Sequence, residues 1–287
     1  MAIVANSEKV SSRGVLRKAA SLIRRSGRTV ITDRATAALA NLEIETCPGV
    51  LELSRGADLL MVFGGDGTML RVAREMNGSP TPVIGVNIGG LGFLTAVPSL
   101  EIAAALDRVW AGDFHLESRS LIQARGRTGD QPINLCALND LVISRGIISR
   151  LIELEVTVDG EILTRYRCDG LIVSSPTGST AYSLAAGGAV VCPTAKVFAI
   201  TPICPHTLSN RSVIVDLDSR IEVTIISEKH EIILSADGQG QTHLAAGDRI
   251  RIQRSRNRVR LVRLEGSSFF QTLRHKLNWT GSNIISR

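Results

Sequence analysis

The sequence predicts an α/β domain with a parallel sheet, followed by an all-β sandwich domain and a C-terminal helix. Over about the first 110 residues, short apolar runs alternate with amphipathic stretches of helical spacing, which is typical of a parallel α/β sheet. From Ser120 onward, strand-like segments follow one another with turns between them, which indicates a sandwich. The chain has 287 residues, 44% of them hydrophobic, and can bury two cores. We place the domains at 1–115 and 116–265, and the helical segment at 266–287.

The α/β part is predicted to contain four strands and four helices. Unbroken apolar runs fit strands that are covered on both faces, and apolar residues three and four positions apart indicate helices. The strands are expected at 3–6, 29–32, 59–63 and 82–87, and the helices at 15–23, 35–42, 68–76 and 100–110.

The β part is predicted to contain ten strands, interrupted once. The strands are expected at 121–125, 138–144, 151–158, 171–174, 197–201, 213–215, 221–226, 232–234, 249–253 and 259–264. The interruption, 176–188, opens like a turn and continues like a short helix, and its many small hydroxyl residues are unusual for a core. The final stretch, 269–277, is an amphipathic helix that we expect to pack back onto the first domain.

Composition limits the classes of partner. A net charge of +6 would suit nucleic acid, but aromatic residues make up only 3% of the chain and leave few side chains for base stacking. A polyanionic small molecule explains the charge equally well. The densest basic region, 249–263, alternates with apolar residues at period two, as the solvated face of a strand pair does. We therefore expect no nucleic-acid partner.

The cysteines and the apolar runs bear on the cellular compartment. The five cysteines are scattered without a Cys-x-x-Cys pair, which argues against a disulfide framework and against structural zinc. The sequence opens without a signal-peptide pattern, and no run approaches the ~18 apolar residues that a membrane span needs. We expect a cytoplasmic protein that does not associate with membranes.

One motif suggests phosphate chemistry. The apolar strand at 59–63 runs directly into Gly64, Gly65, Asp66 and Gly67, and Thr68 follows. Glycines at the carboxyl end of a parallel strand let backbone N–H groups approach phosphate oxygens, and the following helix N-terminus favours anions. Asp66 would repel phosphate unless it holds a hydroxyl or a magnesium ion that the reaction requires. A tight turn is an equally good interpretation of these four residues alone.

Two polar pairs stand in the apolar strands of the β part. These are Asn139 with Asp140, and Asp169 with Gly170. Polar groups set into apolar strands need partners, so mutual hydrogen bonding or a β-bulge would explain each pair taken alone.

Taken together, the motifs resemble those of bacterial NAD kinases over nearly the whole chain. They comprise Gly-Gly-Asp-Gly at 64–67, Asn-x-Gly-x-Leu-Gly-Phe-Leu-Thr at 87–95, Asn-Asp at 139–140, the run from Asp-Gly to Thr-Ala-Tyr-Ser at 169–183, Thr-Pro-Ile-Cys-Pro-His at 201–206 and Asp-Gly-Gln at 237–239. The resemblance implies a Rossmann-like α/β domain and a β-sandwich with the active site between them. It also implies transfer of the γ-phosphate of ATP to the 2′-hydroxyl of the adenosine ribose of NAD, and a homodimer or homotetramer.

The same resemblance implies roles for individual residues. Asp66 would be catalytic and face the adenosine ribose, Asn139 would contact adenine, Asp140 a ribose hydroxyl, and Asp169 the nicotinamide end. The phosphate-binding residues would be Gly64, Gly65, Gly67 and Thr68. The other substrate contacts would be Gly67, Phe93, Arg150, Arg167, Thr177, Thr180, Ala181, Tyr182, Ser183, Leu184, Ala185 and Gln239. Arg150 and Arg167 could equally belong to a solvated strand face.

The resemblance also implies a metal, and it can be weighed against two alternative functions. A divalent metal, Mg²⁺, is expected to accompany ATP, and no side chain is assigned to hold it. Asp140 stands where the family more often has Glu, and Ala96 where it more often has Asp. A lipid kinase shares the glycine-rich motif but not the motifs around 139–140 and 180–182. An NAD-binding regulator without activity would have no use for Asp66.

Overall fold

The computed structural model describes residues 1–6, 10–146, 150–206, 211–228, 231–266 and 268–279. The chain divides into two compact units, Met1–Ser118 with Val259–Arg287, and Arg119–Arg258. None of the helices in the described part of the chain is long and apolar enough to cross a membrane.

The first unit contains a parallel sheet with helices. Its strands are β1 (Ala2–Ala5), β2 (Ile31–Asp33), β3 (Glu45–Cys47), β4 (Leu60–Gly64), β5 (Val83–Asn87) and β6 (Val97–Pro98). Its helices begin with α1 (Arg13–Arg25), α2 (Arg34–Ala40), α3 (Val50–Arg55), α4 (Asp66–Glu75) and α5 (Ile102–Ala111). The strands run parallel in the order β5, β4, β1, β2, β3. Strands β1, β4 and β5 are buried throughout, as their unbroken apolar runs predicted.

The second unit consists of two antiparallel sheets. Its strands are β7 (Phe114–Thr128), β8 (Gln131–Ala137), β9 (Asp140–Arg145), β10 (Ile152–Val158), β11 (Glu161–Cys168), β12 (Gly170–Ser174), β13 (Val197–Ile203), β14 (Val213–Asp216), β15 (Ile221–Ile225), β16 (Ile232–Ala236), β17 (Gln239–Leu244) and β18 (Arg249–Leu264). The short helix α6 (Tyr182–Ala185) lies between β12 and β13. One sheet has the order β14, β13, β12, β9, β16, β17, and the other contains β11, β10, β15 and β18, with β7 paired to β8.

Apolar residues from both sheets form one core in the second unit. Strands β9, β12, β13 and β16 of the first sheet, and β10, β15 and β18 of the second, all bury side chains there. The predicted α/β domain followed by an antiparallel β-sandwich is therefore confirmed. Strands β7 and β18 are long enough to contribute residues to both units.

The last helix, α7 (Phe269–Lys276), belongs to the first unit. The side chain of Ser268 caps it by accepting a hydrogen bond from the N–H of Gln271. The ring of Phe269 lies 6.0 Å from the ring of Phe93, and the Lys276 ammonium lies 5.1 Å from that same ring. The amphipathic helix predicted at 269–277 is present and contacts the α/β unit.

Several sequence-based predictions of elements were wrong. The two-residue strand β6 and helix α3 were not predicted, and neither were the four longer strands β3, β8, β11 and β17. The four strands are largely exposed or half-buried, so their sequences lack the apolar runs on which prediction depends. The stretches 249–253 and 259–264 were predicted as two strands, but β18 runs unbroken through the polar residues between them.

Candidate functional site

The glycine-rich turn joins β4 to α4, and the helix begins two residues before the predicted start at Thr68. Gly64 ends β4, Gly65 caps α4 with φ of −114° and ψ of −170°, and Asp66 is already the first helical residue. Gly64, Gly65 and Gly67 all have ordinary φ values, so none of them adopts the left-handed conformation that favours glycine. At Gly64 the small size matters, because a methyl group there would overlap the side chain of Thr68.

Two glycines of this turn have open space beside them. A methyl group added at Gly65 or at Gly67 would meet no atom of the described residues within 4 Å. The helix dipole places partial positive charge at this end of α4, where the N–H of Thr68 already donates to the carbonyl oxygen of Gly65 at 3.0 Å. A ligand phosphate can therefore approach the backbone of this turn without displacing a side chain.

The carboxylate of Asp66 is held by a loop that follows β5. The N–H of Phe93 donates to Asp66 Oδ2 at 2.9 Å, and the N–H of Leu94 donates to Oδ1 at 3.0 Å. Within the same loop, Asn87 Nδ2 donates to the carbonyl oxygen of Gly90 at 2.7 Å. A carboxylate has about four lone-pair positions. These two hydrogen bonds therefore fix its plane and leave it able to accept a hydrogen bond from a further donor.

Gly92 makes this contact possible. A methyl group at Gly92 would overlap the Asp66 carboxylate and the hydroxyl of Thr95, so only glycine lets the loop lie this close. Sequence reasoning missed the contact between Asp66 and this loop. The carboxyl ends of adjacent parallel strands lie at one edge of a sheet, as the pairing of Gly64 with Asn87 shows. The two predicted strands at 59–63 and 82–87 were therefore the signal that could have revealed this contact.

In the second unit, the carboxylate of Asp237 organises the backbone of the Asn139–Asp140 pair. Asp237 Oδ1 accepts the N–H of Asn139 at 2.7 Å and that of Asp140 at 3.3 Å, and Oδ2 accepts the N–H of Leu138 at 3.0 Å. The backbone N–H of Asp237 in turn donates to the carbonyl oxygen of Asp140. Asp237 takes the left-handed φ of 53°, which belongs to the turn between β16 and β17. It was missed as a site residue although it lies in the Asp-Gly-Gln motif.

Asp140 is almost fully buried at the start of β9. Burial, and secondarily the charge of Asp237, raise the pKa of Asp140 to about 7. This carboxyl group therefore exchanges its proton near neutral pH, unlike an ordinary aspartate.

The hydroxyl-rich segment lies against Asn139. It forms a 3-10 turn over Thr177–Thr180 and then α6, as the sequence predicted. A methyl group at Gly178 would overlap the backbone of Asn139, so the two segments are in contact. Ser175 Oγ accepts the N–H groups of Thr177 and Gly178 at 3.1 and 3.3 Å, which fixes the turn.

The side chains of this segment divide into outward and inward groups. Tyr182 and Ala185 are exposed, and Thr180, Ala181 and Leu184 are half-buried, so these residues can meet a ligand. Ser183 is fully buried, with its hydroxyl 3.1 Å from that of Thr201, which indicates a structural role. Thr177 is also buried, and its hydroxyl accepts a hydrogen bond from Arg119 at 3.2 Å.

Asp169 lies at the opposite end of β12 from Asp140. Asp140 pairs with Ser174 at one end of β12, and Asp169 directly precedes Gly170 at the other. The four residue steps between Gly170 and Ser174 span roughly 14 Å at about 3.4 Å per residue. Arg145, which sequence reasoning did not single out, donates from Nε to Asp169 Oδ1 at 2.7 Å.

The remaining predicted contacts lie at the surface. Arg167 is exposed on β11, and its Nε lies 3.8 Å from a carboxylate oxygen of Glu153 on the neighbouring strand. Arg150 and Gln239 are exposed as well. Among the described residues, no group of three or more His, Cys, Asp or Glu side chains could hold a metal ion.

Two protein-family profiles match the chain, one over its first part and one over its second. Residues 2–114 match the family profile of the ATP-NAD kinase N-terminal domain, and residues 138–264 match that of the ATP-NAD kinase C-terminal domain. The chain belongs to the ATP-NAD kinase family. The resemblance seen in the sequence is thereby confirmed.

Individual members of the ATP-NAD kinase family align along most of the chain. An NAD kinase from Moorella thermoacetica is 43% identical over 261 residues, which cover 90% of this chain and 82% of that protein. The crystal structure of yeast NADH kinase complexed with NADH matches with a TM-score of 0.90 at 27% identity, covering 100% of this chain and 89% of the other. The NAD kinase from Archaeoglobus fulgidus in complex with ATP matches with a TM-score of 0.78 at 26% identity, over 98% and 99% of the two chains.

Proposed function

We propose that this protein transfers the γ-phosphate of ATP to the 2′-hydroxyl of the adenosine ribose of NAD, which yields NADP and ADP. Membership of the ATP-NAD kinase family is the observation that carries the proposal. The family profiles cover both units of the chain, and the relatives named above include one solved with NADH and one solved with ATP.

Asp66 is proposed to act on the attacking hydroxyl. The 2′-oxygen forms a new bond to the γ-phosphorus while the bond between that phosphorus and the β,γ-bridging oxygen breaks. The hydroxyl proton passes to the Asp66 carboxylate, which the N–H groups of Phe93 and Leu94 keep in a fixed orientation. Because phosphoryl transfer goes through a loose transition state, orientation of the hydroxyl matters more than strong basicity.

The backbone at Gly64, Gly65, Gly67 and Thr68 is proposed to receive phosphate oxygens. Support comes from the unobstructed approach at Gly65 and Gly67, and from the start of α4 at Asp66. Mg²⁺ is proposed to arrive with the ATP phosphates and to neutralise their charge. The described residues do not fit a resident metal site, so no step is assigned to a protein-held ion.

The second unit is proposed to hold the dinucleotide along β12. The separation of Asp140 and Asp169 across the length of this strand suits the two ends of an extended ligand, with the adenosine ribose at Asp140 and the nicotinamide end at Asp169. Asn139, Thr180, Ala181, Tyr182, Leu184 and Ala185 would line the adenosine side. Ser183 and Thr177 would contribute by supporting these residues. The proposed assembly is a homodimer or homotetramer.

The test is direct formation of product. Purified protein is incubated with NAD, ATP and Mg²⁺, and NADP is detected by mass. A parallel reaction with NADH measures whether the reduced dinucleotide is also accepted, and omission of each component gives the background. NADP formation that needs all components supports the proposal, and absence of NADP from folded protein overturns it.

A further inference from the structure

The peptide group between Phe93 and Leu94 is held from two sides in the first unit. Its N–H, that of Leu94, donates to Asp66 Oδ1 at 3.0 Å. Its carbonyl oxygen, that of Phe93, accepts a hydrogen bond from Arg263 Nη2 at 3.1 Å. The Phe93 side chain packs against Phe269 of α7 and lies beneath the Lys276 ammonium. The orientation of the Asp66 carboxylate therefore depends on groups distant in sequence.

Arg263 is itself fixed by an ion pair. Its Nε donates to Glu117 Oε2 at 2.8 Å, and the two side chains are only 12% and 17% exposed. A charge-assisted hydrogen bond in such a shielded place is stronger than one at the surface. The planar guanidinium holds Glu117 with one nitrogen and the Phe93 carbonyl with another, which a single ammonium group cannot reproduce.

The backbone beneath Arg263 is also anchored to the sheet that carries Asp66. Leu261 of β18 pairs with Val83 of β5, and β5 lies beside β4, which leads into Asp66. Arg263 thus connects the sheet to the peptide group between Phe93 and Leu94, from the side opposite to Asp66. Rotation of that peptide would carry its N–H away from the carboxylate, and it is this rotation that Arg263 opposes.

We propose that Arg263, oriented by Glu117, is a positioning residue for Asp66 and acts through the peptide group between Phe93 and Leu94. The kinetic part of this inference rests on the proposed function, since Asp66 must act on the acceptor hydroxyl. Loss of the Arg263 contact loosens the carboxylate without removing it. A misplacement of ~1 Å can cost about 100-fold in rate, so turnover should suffer more than substrate affinity.

The principal variant is Arg263→Lys, which keeps the positive charge beside Glu117 but lacks the second donor for Phe93. We expect kcat to fall at least about tenfold, with KM for NAD and for ATP within about threefold of wild type. The matched control is Arg260→Lys, an exposed arginine on the same strand, which should leave both constants unchanged. In an Asp66→Asn background, Arg263→Lys should have little additional effect, because both substitutions remove the same contribution.

A second readout does not depend on activity. Amide hydrogen exchange of Phe93 and Leu94 should be faster in Arg263→Lys than in wild type, whereas Arg260→Lys should leave it unchanged. Absence of NADP from the wild-type protein would overturn the proposed function alone, and the exchange rates would still decide the positioning role. Unchanged protection of both amides, or an equal fall in kcat in the Asp66→Asn background, would overturn the inference.

Discussion

The carboxylate of Asp237 accepts the backbone N–H of Asn139 at 2.7 Å, so one acidic side chain holds the backbone that presents another, the buried Asp140. Three backbone N–H groups donate to the Asp237 carboxylate and offset its negative charge. For Asp140, burial and then the neighbouring charge of Asp237 raise the pKa to about 7. The folded protein therefore binds a proton at Asp140 that the unfolded chain releases at a much lower pH.

This proton makes stability depend on pH in a definite direction. Below an ordinary pKa of 3.8, both states hold the proton and Asp140 carries no penalty. As pH rises from there to about 7, stability is lost, because the unfolded chain ionises while the folded state must keep the proton or bury a charge. Asp140→Asn removes this dependence and should be more stable than wild type at pH 8, by roughly 4 kcal/mol at most, from about 1.4 kcal/mol per pKa unit.

Chemical denaturation of both proteins between pH 4 and pH 8.5 checks the prediction about Asp140. The difference in unfolding free energy should be near zero at the lowest pH and should grow through the window up to about pH 7. Asp130→Asn is the matched control, since the Asp130 side chain is fully exposed. A difference between wild type and Asp140→Asn that stays constant with pH would contradict the raised pKa.

Asp66→Asn should nearly abolish turnover while leaving NAD affinity within several-fold. The amide keeps the shape of the side chain but cannot accept the hydroxyl proton, and its NH₂ group would face an N–H of Phe93 or Leu94. A general-base contribution is typically about 10² to 10⁴ in rate. Steady-state kinetics and a dinucleotide binding measurement test this, with the exposed Asp58→Asn as control. Retention of more than about a tenth of the wild-type kcat would show that Asp66 is not the acid–base group.

The sequence predicted the strand before Asp66 and the helix after it, but not what holds the carboxylate. Apolar runs reveal buried strands such as β4 and β5, because burial on both faces leaves a continuous signal. The contact of Asp66 with Phe93 and Leu94 joins residues 27 and 28 positions apart, and depends on strand order. Asp237 and Arg145 escaped notice for the same reason, since their partners are distant in sequence and an acidic or basic residue in a β-rich segment is ordinary.

Gly92→Ala should disturb Asp66 by steric overlap alone. Gly92 has an ordinary φ, so alanine meets no backbone strain, but its methyl group would overlap the Asp66 carboxylate. Overpacking of this kind costs about 1 to 3 kcal/mol, and we expect kcat to fall about 10- to 100-fold as the loop moves away.

Gly90→Ala is the control for Gly92→Ala in the same loop. Gly90 also has an ordinary φ, and a methyl group there meets no atom within 4 Å. Kinetic constants and thermal midpoints of both variants decide the comparison. Equal activity of the two alanine variants would contradict a tight fit between the loop and Asp66.

Arg145→Met should weaken NAD binding without slowing the chemical step. The guanidinium of Arg145 holds Asp169 at 2.7 Å, and both side chains are about 30% exposed or less, so solvent screens the pair only partly. Asp169 lies at the far end of β12 from Asp140, so under the proposed function its contact is the same in the ground state and the transition state. Loss of an interaction that binds the substrate and the transition state equally raises KM and leaves kcat unchanged. A charge-assisted contact weakened by about 1.4 kcal/mol corresponds to a KM for NAD that is about tenfold higher.

The control for Arg145→Met is Arg165→Met, whose side chain is 72% exposed and pairs with Glu155 at the surface. A fall in kcat with unchanged KM in Arg145→Met would place Asp169 near the reacting hydroxyl instead of at the nicotinamide end.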